Sequence, residues 1–103
     1  MVKLLQDAER HEALASLPEW KLSDAGDAIV RSFTFKDFNE AFGFMTQVAL
    51  HAEKIDHHPE WSNVWRKVDV RLTTHSVHGL SHLDFEMAKF MNAMASASRH
   101  DQD

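Results

Sequence analysis

The hydrophobic positions in this chain change period several times, and each change predicts an element. Over residues 2–17, Leu4, Leu5, Ala8, His11, Glu12 and Ala15 recur near helical spacing, and Pro18 stops the pattern. Residues 20–22 form a short candidate strand. Ser23-Asp24-Ala25-Gly26-Asp27 is turn chemistry. Residues 28–35 then alternate, with Ile29, Arg31, Phe33 and Phe35 on one face and Val30, Ser32 and Thr34 on the other. Residues 37–55 return to a helical period: Phe38, Ala41, Phe42, Met45, Val48, Ala49, Ala52 and Ile55 make a broad apolar face, and Asp37 is placed to cap its start. Pro59 prevents continuation and pushes His58 toward an extended conformation, so His57 and His58 fall just beyond a helix end.

Residues 63–65 and 68–73 read as two more strands. In the second, Val68, Val70 and Leu72 alternate with Asp69, Arg71 and Thr73, which predicts one buried face. Ser81 opens a last helix: Ser81 with Asp84 fits a capping box, and Leu80 with Phe85 fits a hydrophobic staple. Met87, Phe90, Met91 and Met94 form its apolar stripe, read as core or subunit interface. Residues 96–103 are polar and are expected to fray. The order helix-strand-strand-helix-strand-strand-helix predicts an α+β fold, a four-stranded antiparallel sheet with three helices packed on one face. With no Gly/Ser/Pro-rich linker or repeat, residues 1–103 are read as one domain.

Composition changes this picture mainly by exclusion. A net charge of −5 and the lack of a Lys/Arg cluster argue against direct nucleic-acid binding. No apolar stretch approaches the roughly 20 residues of a membrane span. The N-terminus lacks a signal-peptide pattern, so a cytoplasmic protein is expected. The absence of cysteine excludes disulfides, thiolate metal sites and thiol nucleophiles. An exposed sheet edge and a Met-rich last helix favour self-association, without choosing dimer over tetramer.

The candidate chemistry lies in Glu53-Lys54-Ile55-Asp56-His57-His58-Pro59-Glu60-Trp61 and in Thr73-Thr74-His75. Imidazoles give and take protons near neutral pH, so three of them beside carboxylates suggest proton transfer on a small, flat, polar molecule. Adjacent His57 and His58 point in different directions on an extended segment, and His75 joins them if its strand end meets the end of the middle helix. Glu53 or Asp56 is placed to orient the first imidazole. Pro59 and Trp61 offer a flat apolar wall, although a tryptophan is more often core. Asp84 is read first as a helix cap and second as a group supporting the site. His11, His78, His82 and His100 are read as surface residues. A zinc site built on His75-x-x-His78 with His57 or His58 is the rival, but that spacing has little specificity. No Gly-x-Ser-x-Gly elbow points to a serine nucleophile.

Several segments together carry a resemblance. They are Phe42-Gly43-Phe44-Met45, Val48-Ala49-Leu50, the run from Glu53 to Trp61, Asn63-Val64, Lys67-Val68, Leu72, Thr74-His75, and Gly79-Leu80-Ser81 with Asp84. This pattern resembles the pterin-4a-carbinolamine dehydratase family, most densely over residues 33–90. The resemblance implies dehydration of 4a-hydroxytetrahydropterin to quinonoid dihydropterin and water, in the recycling of the tetrahydropterin used by aromatic amino-acid hydroxylases. It implies catalysis by His57, His58 and His75 without metal or other cofactor. Pterin would be held by His57-His58-Pro59 and by Thr74-His75-Ser76-Val77, with Glu53, Asp56, Trp61 and Asp84 in support. It also implies an α+β sandwich that assembles into dimers or tetramers. Vertebrate relatives also stabilise dimers of a homeodomain transcription factor, so a non-catalytic interaction module is the alternative.

Overall fold

The computed structural model describes residues 2–100. Its elements are helix α1 (Asp7–Ala15), strands β1 (Lys21–Leu22) and β2 (Ile29–Thr34), helix α2 (Phe38–Ile55), strands β3 (Glu60–Val64) and β4 (Lys67–Leu72), a 3-10 turn (His75–Val77) and helix α3 (His82–His100). The strands form one antiparallel sheet in the order β1-β2-β4-β3, with β2 and β4 central. Ile29 pairs with Leu72 across the centre, and Glu60 pairs with Arg71 at the β3 edge.

Alternation decides which face is covered. Ile29, Phe33 and Phe35 from β2 and its exit are buried, together with Val68, Val70 and Leu72 of β4, beneath α2 and α3. Phe44 packs between Phe33 and Phe35, with ring centroids 4.9 Å from each. Each such side chain contributes about 1.5–3 kcal/mol by leaving water. Arg31 shares this face. It lies 4.1 Å over the Phe33 ring and donates to Asn92 of α3, which also accepts from Trp20 Nε1 at 2.8 Å. The opposite sheet face is polar and carries cross-strand pairs, among them Ser32 with Asp69 and Arg71 with Glu60.

Asp37 caps α2 as expected, accepting from the Glu40 amide at 2.8 Å. The buried face of that helix is rotated from the sequence reading: Ala41, Phe44, Val48 and Ala52 are buried, whereas Phe38, Phe42 and Ala49 are exposed. The helix carries apolar residues on more than one side, and periodicity alone cannot say which side meets the sheet. α1 begins at Asp7 instead of residue 2, because Gln6 and Glu9 form a capping box there. None of its residues is buried. It rests on the core through Ala13 and Leu14, while Leu5, just ahead of it, donates its amide to the Leu80 carbonyl at 2.9 Å.

β3 begins at Glu60, three residues earlier than the sequence reading, because the chain pairs with β4 as soon as Pro59 has turned it. The β3–β4 hairpin closes with Trp65 at φ 52° and with the Asn63 side-chain Nδ2 donating to the Trp65 and Lys67 carbonyls. In α3, Met87 and Met91 are wholly buried and Met94 packs on the core, so the methionine stripe belongs to this chain's own interior. It therefore gives no support to self-association. The expected fraying from residue 96 is not seen, since α3 runs on to His100; residues 101–103 lie outside the described residues. Among the described residues, no helix is long and apolar enough to cross a membrane.

Candidate active site

The C-terminus of α2, the start of β3, the exit of β4 and the start of α3 meet at one end of the sheet. α2 stops at Asp56, whose left-handed backbone (φ 53°, ψ 47°) turns the chain, while the amides of Asp56 and His57 both return to the Ala52 carbonyl. This turn carries the His57 side chain inward. His57 is 8% exposed and its Nε2 donates to Asp84 Oδ1 at 2.6 Å.

Asp84 is fully buried at the third helical position of α3. Its Oδ2 accepts from the Ser81 amide at 2.9 Å and from the Thr74 hydroxyl at 2.7 Å. That hydroxyl has one hydrogen and gives it to Asp84, so it accepts from Ser81 Oγ at 2.7 Å. Ser81 Oγ in turn accepts from the Leu83 amide at 3.2 Å. The capping box is therefore real, and its carboxylate has a second use. One oxygen closes the helix end, where negative charge is favoured, and the other holds His57. The Thr74–Gly79 bridge fixes the loop bearing Thr74, with the Thr74 amide donating to the Gly79 carbonyl at 2.8 Å. A Cβ at Gly79 would come within 2.7 Å of Leu4 Cδ1, so a larger residue there would require the Leu4 side chain to shift.

The other two imidazoles are arranged differently. His58 Nε2 donates to Glu53 Oε2 at 2.5 Å, and the His58 side chain is 53% exposed. His75 Nε2 donates to Glu60 Oε2 at 2.9 Å, and the His75 side chain is 82% exposed. Each of the three rings thus faces its own carboxylate through Nε2. A carboxylate can only accept, so Nε2 carries the hydrogen in each and Nδ1 is the nitrogen left to meet another molecule.

The sequence-predicted residues are distributed accordingly. His57, Thr74 and Asp84 share one buried network, and His58 and His75 flank it in the chain. Two pairings differ from expectation. Glu53 engages His58, not His57, because one helical turn plus the Asp56 kink brings it alongside the second histidine. Asp56 is exposed, and its carboxylate makes no hydrogen bond or ion pair among the described residues. Trp61 lies on the helix-facing side of β3 and packs on the core. Pro59 and Val77 are half-buried and Ser76 is exposed around the same end. Glu60 was missed as a partner of His75. Its signal was the edge-strand register, which the late strand start concealed. Among the described residues, no group of three His, Asp or Glu side chains is placed to hold one metal ion.

Known proteins share this fold and much of this sequence. The sequence profile of the family described as pterin 4 alpha carbinolamine dehydratase matches residues 3–94. A Rhizorhabdus wittichii protein with the provisional name pterin-4-alpha-carbinolamine dehydratase is 60% identical over 94 residues, covering 91% of this chain and 97% of its own. A similarly named Rhodopseudomonas palustris protein is 56% identical over 96 residues, covering 93% of this chain and 95% of its own. A crystal structure from Brucella melitensis, described as a transcriptional coactivator/pterin dehydratase, superposes with a TM-score of 0.87 at 55% identity, covering 90% of this chain and 99% of that one. With the profile matching nearly the whole sequence and the fold shared with a solved relative, the chain belongs to the pterin 4 alpha carbinolamine dehydratase family, a family of hydro-lyases.

Proposed function

We propose that the protein dehydrates 4a-hydroxytetrahydropterin to quinonoid dihydropterin and water by histidine general acid–base catalysis. The observation that carries this reading is the set of three imidazoles at one end of the sheet, each held through Nε2 by a separate carboxylate. In the reaction the C4a–O bond breaks. The departing hydroxyl takes a proton from an imidazolium and leaves as water, while a neutral imidazole removes a ring-nitrogen proton as the double bond forms. No electrons are gained or lost overall. General acid–base assistance is worth roughly 10²–10⁴-fold, which suits a dehydration that already proceeds slowly unaided.

His57 and His75 are the acid–base pair in this reading, and His58 binds substrate and relays protons. Asp84 holds the first ring and Glu53 the second. Pro59, Thr74, Ser76 and Val77 border the pterin. The product feeds reduction back to tetrahydropterin, in support of an aromatic amino-acid hydroxylase, in the cytoplasm. One domain spanning residues 1–103 acts as a homodimer or homotetramer, for which the unpaired edge of β3 offers a surface. The test is the dehydration rate of freshly generated 4a-hydroxytetrahydropterin, with metal chelator present. Acceleration that persists with chelator and vanishes in His57→Ala supports the reading. Loss to chelator would favour zinc instead, and no acceleration from folded protein would overturn it.

A second reading draws on the coactivator description of the Brucella melitensis relative and on Phe38 and Phe42, exposed together on α2 with ring centroids 5.8 Å apart. An interaction role on that helix would survive joint replacement of His57, His58 and His75.

A further inference from the structure

Glu60 stands outside the residues assigned above, yet its two carboxylate oxygens have different partners. Oε2 accepts from His75 Nε2 and Oε1 accepts from Arg71 NH1, both at 2.9 Å. Glu60 and Arg71 are directly opposite across the β3–β4 pair, on the polar sheet face. Arg71 is braced in turn, its second nitrogen 3.4 Å from Asp27 Oδ1, and Asp27 also accepts from the Ser23 hydroxyl at 3.0 Å. His75 is the most solvent-exposed of the three imidazoles, and no other hydrogen bond to its ring occurs among the described residues. A free ring there would rotate and exchange tautomers. A carboxylate pinned from its far side removes that freedom.

We infer that Glu60, braced by Arg71, is a positioning residue that fixes the tautomer and direction of His75, leaving Nδ1 to meet the substrate. This rests on the dehydratase reading. Glu60 touches no reacting atom, so it acts only through His75. As an exposed ion pair the Glu60–Arg71 contact contributes little to stability, so its effect should appear in the ring it holds and not in folding.

The geometry makes an unusual demand on Glu60→Gln. Arg71 can only donate, so it keeps the new amide oxygen and turns the NH2 toward His75. His75 Nε2 must then accept, and the proton moves to Nδ1. In Glu60→Gln/Arg71→Ala the amide is free to flip, and this pressure disappears. The experiment is nitrogen-15 and proton NMR of the His75 ring in substrate-free protein, above the ordinary imidazole range of about 6.5, alongside turnover of 4a-hydroxytetrahydropterin. The backbone amide spectrum verifies the fold of each variant.

We expect Nε2–H in the unmodified protein, a shift toward Nδ1–H in Glu60→Gln, and return to Nε2–H in the double variant. In Glu60→Gln, kcat should fall about tenfold, less than the roughly 10²–10⁴-fold that general acid–base assistance itself is worth, with KM changed by less than about twofold. Replacement of Arg71 alone should give a smaller loss of the same kind. A His75 tautomer unchanged in Glu60→Gln, in a protein whose unmodified form turns over, would overturn the positioning role alone. Absence of turnover in the unmodified protein would overturn the dehydratase reading, and with it the role of Glu60 in catalysis, whatever the ring's tautomer.

Discussion

The two ends of the site are built to opposite specifications. His57 and Asp84 are buried, and every polar atom of Asp84 is committed to a partner fixed by the fold: a helix cap, a threonine on a closed loop and the imidazole itself. His58 and His75 sit in solvent, each on a glutamate that is itself exposed. The same interaction, imidazole N–H to carboxylate, therefore has different consequences. In the interior an unpaired partner is costly, and the pair is tied to folding. At the surface water replaces a lost partner, so the pair governs geometry while stability hardly depends on it. The buried half supplies a fixed reference, and the exposed half presents its rings to solvent and to a ligand.

The largest expected effect comes from cutting the buried half at its centre. Asp84→Ala removes the acceptor for His57, Thr74 and the Ser81 amide together, leaving buried donors unpaired. A loss of about 3 kcal/mol or more in unfolding free energy is expected, the scale of breaking a buried pair, with turnover collapsing as well. Urea denaturation followed by circular dichroism measures it. A cost under about 1 kcal/mol would mean that water reaches the network and that the two halves do not differ in kind.

Next come the histidines compared with one another. His57→Ala should lower kcat by about 10²-fold or more and also cost about 1–3 kcal/mol, because Asp84 Oδ1 loses its buried partner. His75→Ala should likewise impair turnover, yet shift stability by no more than about 0.5 kcal/mol, as for other exposed positions. Parallel thermal melts and kinetics separate the two. Equal destabilisation would erase the distinction between a buried and a solvent-exposed imidazole.

Salt sharpens the comparison with a smaller effect. The screening length falls from about 10 Å at 0.1 M salt to about 3 Å at 1 M. At low salt Glu53→Gln should reduce kcat/KM by less than about tenfold, since it tunes an exposed ring for which water can replace the lost partner. That deficit should shrink as salt rises and weakens the intact pair. The stability cost of Asp84→Ala should stay unchanged over the same series, because ions do not reach it.

These halves were not equally legible in the sequence. The dual duty of Asp84 was readable, because Ser81-x-x-Asp84 before an apolar run specifies where a carboxylate must sit, and the position of His57 past a helix end followed from Pro59. The alternation over β2 and β4 identified their buried faces, since a period of two leaves no choice once one face is covered. The exposed pairings were not readable. Whether Glu53 reaches His57 or His58 depends on a left-handed residue between them, and Asp56 can adopt that conformation without advertising it as a glycine would. Glu60 finds His75 only because Glu60 begins the edge strand, and short edge strands carry little alternation. The face of α2 was misjudged for a related reason: Phe38 and Phe42 extend its apolar arc beyond what the sheet covers, and only tertiary packing selects Phe44.

The smallest effect tests the residue that the structure moves out of the site. Asp56 lies beside His57 in the chain but holds the turn through its backbone, at a φ of 53° that a Cβ disfavours. Asp56→Gly removes that penalty at a helix C-terminus, where glycine is the common solution, while adding freedom to the unfolded chain. A net gain of up to about 1 kcal/mol is expected, read as a slightly raised Tm. Turnover should be unaltered, because the carboxylate points to solvent and the imidazole it was expected to orient is held by Asp84 from across the fold. A several-fold loss of kcat in a stabilised Asp56→Gly protein would place this charge in the field of the reacting pterin. The buried pair would then no longer be sufficient to set the behaviour of His57.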